Sequence, residues 1–168
     1  HLKLSRLIML WDDNNITIDG SVELSDSTNQ VARFKASGWN VISVDGHNPQ
    51  KVASALRRAK KSDKPTMIAC KTTIGKGAPT KAGTSKVHGA PLGAEEIAGA
   101  KAALGWEHGP FEVPDDVYAM WKRPGRRGRR ERRFWAERLK SDENALDFMR
   151  AVNGELNAGW EDAMQAYK

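Results

Sequence analysis

A chain of 168 residues, 39% hydrophobic and 29% charged, has the size and balance to bury one ordinary core and carry an appendage. It contains no apolar run near the ~20 residues that cross a bilayer, its opening HLKLSRLIML lacks a signal-peptide cleavage pattern, and its single Cys70 excludes an internal disulfide, so a cytoplasmic protein without a membrane partner is expected. The net charge of +6 raises nucleic acid as a partner, but Lys122 to Arg133, with eight basic residues and one Glu, contributes +7 and leaves −1 elsewhere.

Chain order gives an alternation of strands and helices. The chain opens, without an initiating Met, almost directly into the strand-like run LIMLW. A strand there without an upstream neighbour would leave an open sheet edge, so the sequence is expected to begin inside a domain. Three short apolar runs, Leu7 to Trp11, Asn40 to Val44 and Thr66 to Lys71, are separated by helical patterns, the alternation of a parallel α/β sheet. Asp26 or Ser27 is placed to cap the first helix, which runs through Ala36 with Val31 and Phe34 on one face and ends at Gly38. Asn48 and Pro49 make the cap and first turn of the second, whose apolar stripe is Val52, Leu56 and Ala59. Cys70, within MIACKT, reads as a buried thiol of the third strand.

KTTIGKGAPTKAGTSKVHGAPLG, Lys71 to Gly93, has five glycines and no helical or alternating period, so a long loop is predicted there, placed near the carboxyl ends of the strands. A helix from Ala94 to Leu104 follows, with Glu95 and Glu96 in its first turn and Gly105 after its end. Beyond Pro114 the pattern becomes DDVYAMW, the arginine-rich run, ERRFWAERL and two further short amphipathic stretches.

Several residues have the chemistry for a site. WDDNNITIDG, Trp11 to Gly20, lies at the carboxyl end of the first strand, where open α/β sheets bind ligands. Its Asp12, Asp13, Asn14 and Asn15 offer hard oxygens of the kind magnesium takes beside a diphosphate, or form a turn through local hydrogen bonds. His88, in VHGAPLG, is either a surface loop residue or a donor to phosphate and a proton carrier near neutral pH. His47 reads as a loop residue. IGKG, Ile74 to Gly77, lacks the Walker spacing. The arginine run has no interleaved aromatics and reads as a solvated linker or helix face.

Taken together, WDDNNITIDG, SDSTNQVARFKASGWNVISVDGHNP, KPTMIACKTTIGKGAPTKAGTSKVHGAPLGAEEI and LGWEHGPFEVPDDVYAMW resemble bacterial transketolase in order and spacing, over residues 1 to about 121 and more loosely beyond. KTTIGKGAP with HGAPLG carries the most specific part of the likeness. The resemblance implies a thiamine diphosphate-binding α/β fold, a parallel sheet flanked by helices and incomplete at its N-terminus. It makes residues 1–121 part of the diphosphate domain and 122–168 a helical, arginine-rich linker toward a pyrimidine-binding domain. It implies magnesium or another divalent cation bound by the Asn14 side-chain oxygen and the Ile16 main-chain carbonyl. Asn14, Ile18 and His88 would contact the cofactor, and His88 would also meet the substrate as a catalytic residue.

The whole enzyme would be a homodimer moving a two-carbon ketol unit between sugar phosphates, in pentose recycling or carbon fixation. A Gly-Asp-Gly metal segment is expected upstream of His1, and the Glu that activates the cofactor beyond Lys168, so the chain by itself is expected to be inactive. A non-catalytic binding module and a basic nucleic-acid-binding protein are the rival readings.

Overall fold

A computed structural model describes residues 2–167. The described chain divides into two compact units, the first ending at Glu107 and the second beginning at His108. The boundary expected after residue 121 falls inside a continuous helix.

The first unit contains β1 (Ile8–Asp13), α1 (Gln30–Ala36), β2 (Asn40–Asp45), α2 (Pro49–Ala59), β3 (Thr66–Lys71) and α3 (Ala94–Ala103). The three strands form one parallel sheet in the order β1-β3-β2, as the alternation predicts. Thr66 of β3 faces Ile8 on one side and Asn40 on the other. β3, paired along both edges, reads as an unbroken buried run from Thr66 to Cys70, the pattern of a central parallel strand. The core joins Ile42 and Ile68 of the sheet to Ala55 and Ala59 of α2, with Ile8, Val44 and Leu56 packed around them. Small side chains at 55 and 59 let α2 lie close to the sheet. Cys70 is buried there, and desolvation, followed by the charge of Asp12, pushes its thiol pKa up.

The helix caps match the expectation at one end and correct it at another. Asn48 caps α2 by accepting from Lys51 N at 3.0 Å, with Pro49 in the first turn. α1 begins later than Asp26 or Ser27 allows. Its cap is Asn29, which accepts from Ala32 N at 2.9 Å, while Asp26 accepts from Thr28 N at 2.8 Å in a preceding turn. β1 also runs two residues past Trp11, because Asp12 and Asp13 remain in register with Cys70 and Lys71.

The loop between β3 and α3 is held by α3. Glu96, buried in the first turn of that helix, accepts from the hydroxyl of Thr80 and from the backbone N–H of Thr80 and Lys81 at 3.2 and 3.3 Å. Lys81 Nζ donates to Leu92 O at 2.6 Å. Pro79 lies on Gly99 so closely that a Cβ there would stand 2.2 Å from the proline Cγ.

The second unit contains α4 (Asp115–Lys140), α5 (Ala145–Val152) and α6 (Trp160–Tyr167). Across the segment read from sequence as a solvated linker or helix face, α4 is continuous through Pro124, Gly125 and Gly128. Arginine is a good helix former, and Asp115 and Asp116 at the start with Arg138 and Lys140 at the end suit the helix dipole. The arginine run is thus more than three turns of one continuous helix, exposed throughout. Trp135 of α4 meets Phe148 of α5 edge to face, with ring centroids 5.9 Å apart. Among the described residues no helix is long and apolar enough to cross a membrane.

Candidate functional site

The carboxyl ends of the three strands are tied to one another before any ligand is considered. Thr72, just past β3, donates its backbone N–H to Asp13 O at 3.2 Å and its hydroxyl to Asp12 Oδ1. Lys71 pairs with Asp13 at 3.6 Å. On the other side, Gly46 N donates to Lys71 O at 2.8 Å, and a Cβ on Gly46 would stand 2.6 Å from Thr72 Cγ2. His47 accepts at Nε2 from Thr73 N at 2.7 Å. That bond ties the loop after β2 to the end of β3, and His47 is a loop residue as expected.

After β1 the chain makes a compact loop. Asn15 adopts a left-handed backbone, φ 61°, a conformation Asn tolerates better than most residues. Val22 N donates to Asn15 O at 3.0 Å and Thr17 N to Gly20 O at 2.7 Å, closing residues 15–22 into a miniature antiparallel turn. Asn14 Oδ1 accepts from Ile16 N at 2.9 Å, and Asn14 Nδ2 donates to Asp12 Oδ2 at 3.3 Å. The Ile16 carbonyl accepts no hydrogen bond among the described residues.

A cavity of about 900 Å³ opens at this end of β1. It is lined by Asp12, Asn14 and Ile16 from the first strand and its loop, by Thr28 and Phe34 from the approach to and body of α1, and by His88 from the long loop. His88 follows the short helical turn Ser85–Val87 and anchors its backbone by donating N–H to Ser85 O at 3.0 Å. Its exposed imidazole makes no hydrogen bond or ion pair among the described residues. Three of the four residues singled out in the sequence therefore share one cavity. Ile18 does not line it, and its side chain is 70% exposed.

The oxygens present suit a hard divalent cation bound together with a diphosphate. Asn14 Oδ1 has a second lone pair beyond the one that meets Ile16 N–H, and the Ile16 carbonyl has both. Both are neutral oxygen donors, and magnesium commonly takes only one or two protein ligands when phosphate oxygens supply others. Among the described residues no cluster of three His, Cys, Asp or Glu forms a self-sufficient metal cage. Gly75 and Gly77 have positive φ, and Cβ atoms there would press on Val87 at 3.1 Å and Leu104 at 3.2 Å, so these glycines serve packing.

The site also includes partners that local sequence did not reveal. Asp12 and Thr72 are 60 residues apart, and Glu96 holds Thr80 from 16 residues away. No periodicity announces such pairs. The presence of Thr and Gly just beyond strand ends was the only signal.

Comparison with known proteins gives a consistent picture. The family described as "Transketolase, thiamine diphosphate binding domain" matches residues 1–158. A transketolase from Cereibacter sphaeroides is 50% identical over 168 residues, covering 100% of this chain and 25% of its own length. One from Sinorhizobium medicae (strain WSM419) is 45% identical over 168 residues, covering 100% and 24%. Among solved structures, transketolase from Leishmania mexicana superposes with a TM-score of 0.85 at 38% identity, over 96% of this chain and 25% of that one. A high-resolution crystal structure of transketolase from Campylobacter jejuni gives 0.80 at 38% identity, over 90% and 24%. The chain spans about a quarter of the length of the relatives it matches.

Proposed function

The chain belongs to the transketolase family, within its thiamine diphosphate binding domain, and from that membership we propose that it forms the metal-and-diphosphate side of a site that transfers a two-carbon ketol unit between a ketose phosphate and an aldose phosphate. The observation that carries this reading is the convergence of Asn14, Ile16 and His88 on one cavity at the carboxyl end of β1.

In this proposal Asn14 Oδ1 and the Ile16 carbonyl hold a divalent cation, magnesium or calcium, against the diphosphate. Thiamine diphosphate, when bound, supplies the electron sink that the two-carbon unit needs. Ile18 offers an exposed apolar side chain on the same loop to the cofactor. His88, free of other side-chain partners, hydrogen-bonds a substrate oxygen and carries its proton. The remaining groups come from other parts of a homodimer, with the sugar phosphates as its substrates and the cytoplasm as its compartment.

The test compares Asn14→Ala with His88→Ala in a dimeric enzyme of full transketolase length carrying this sequence. Asn14→Ala should weaken apparent cofactor affinity about 10- to 100-fold, with partial recovery in excess magnesium. His88→Ala should lower turnover by about 10² to 10⁴ without rescue by metal. Wild-type turnover by His88→Ala at saturating substrate, cofactor and metal would remove His88 from the reaction.

A further inference from the structure

We propose that Asp12 is a positioning residue that fixes which face of the Asn14 amide is presented to the cation, and that Thr72 anchors it from β3. The inference rests on Asn14 being a metal ligand, as proposed above.

The two oxygens of Asp12 are both engaged. Oδ1 accepts the Thr72 hydroxyl and Oδ2 accepts Asn14 Nδ2 at 3.3 Å. A carboxylate spent in this way has less to offer a cation directly, although it lines the same cavity. Its effect is on its neighbour. With Nδ2 drawn to Asp12, Asn14 Oδ1 is turned to the other side, where it accepts from Ile16 N at 2.9 Å. Exchanging the amide oxygen and nitrogen would set oxygen against carboxylate and NH₂ against N–H, replacing two attractive contacts by two repulsive ones. That bond fixes the Asn15–Ile16 peptide, while the next peptide, which carries the Ile16 carbonyl, is held by Thr17 N donating to Gly20 O at 2.7 Å. Thr72 ties this arrangement to the central strand, where Thr66 to Cys70 are buried. Partners that orient a ligand in this way typically matter to metal affinity by about 10- to 100-fold.

The test uses the ¹⁵N-labelled 168-residue chain with inorganic diphosphate, titrated with Mn²⁺, whose paramagnetic broadening reports even weak occupancy. In the wild-type chain the Asn14 side-chain NH₂ and the Ile16 and Thr17 N–H signals should broaden first. Asp12→Ala should need about 10- to 100-fold more Mn²⁺ for equal broadening, and its Asn14 NH₂ protons should lose their separation before any metal is added. Asp12→Asn should recover most of both, since its Oδ1 can face Asn14 while its Nδ2 turns to Thr72 Oγ1. Thr72→Val, which leaves every group near the cation unchanged, should shift the titration in the same direction as Asp12→Ala. Selective broadening that is equal in wild type, Asp12→Ala and Thr72→Val overturns the positioning role alone. Absence of selective broadening at Asn14 and Ile16 in the wild type overturns the ligand reading, and the positioning role with it.

Discussion

Thr80 donates both its hydroxyl and its backbone N–H to the carboxylate of Glu96, so the first turn of α3 grips the long loop that carries His88. These bonds, led by the Thr80 hydroxyl, hold Glu96 below its ordinary pKa of 4.5 against the opposing effect of burial. A carboxylate with a lowered folded-state pKa stabilises fully above the unfolded value and loses that contribution as pH falls through the folded one. Chemical denaturation of the wild type should therefore show an acid-limb loss of stability below pH 4.5 that Glu96→Gln lacks. At neutral pH the variant should be the less stable of the two. Identical pH profiles would show that the loop is held by other means.

β3 should be the most protected segment in hydrogen exchange. Among the described residues it is the only strand with partners on both edges, and Met67 and Ile68 are fully buried. Ile68→Ala should cost about 2–5 kcal/mol, read from urea melts, because the cavity it leaves lies in the middle of the sheet. Faster exchange in β3 than in β1 or β2 would contradict the observed order.

α4 carries its own electrostatic strain. Lys122, Arg126, Arg129 and Arg133 follow one another at helical spacings of three and four, and the run's single acidic residue, Glu131, pairs with Arg130 at 3.2 Å. Like-charge pairs at these spacings cost about 0.2–0.5 kcal/mol each, less in salt. Helical circular dichroism should rise with salt, and Arg126→Glu, which makes the pairs with Lys122 and Arg129 attractive, should reproduce the gain at low salt. Pro124→Ala should add about 3 kcal/mol of helix stability by restoring the bond to the Met120 carbonyl.

The purified 168-residue chain should not turn over a ketose phosphate and should bind thiamine diphosphate with magnesium only weakly. It presents two oxygens proposed for the cation and one imidazole on its cavity, and it spans a quarter of its relatives' length. The assay needs a host lacking its own transketolase. Turnover by the pure chain would show that these residues suffice.

The three strands were legible in the sequence because each is a compact apolar run bounded by polar residues, and α2 because Asn48-Pro49 is an unambiguous start. The ends were harder. Asp12 and Asp13 look like turn formers, yet pairing with Cys70 and Lys71 draws them into β1. Asp26 looks like a cap, yet its carboxylate is used by Thr28 and leaves the role to Asn29. Pro124-Gly125 looks like a break, yet the good helix formers on either side continue α4 through it. Asn14, Ile16 and His88 were nominated through family likeness rather than spacing, and all three line one cavity. The Asp12–Thr72 and Glu96–Thr80 pairs were invisible because nothing local connects their partners.

The contact of Pro79 with Gly99 makes the effect of a substitution depend on the order in which changes are acquired. Gly99→Ala alone brings a methyl group against a rigid ring and should lose about 1–3 kcal/mol to overpacking. The same change made after Pro79→Ala meets no ring and should instead gain about 1 kcal/mol of helix propensity. The two positions should thus show sign epistasis, measurable as a double-mutant cycle. A lineage could replace the glycine only by giving up the proline first, so loop and helix are constrained to change together.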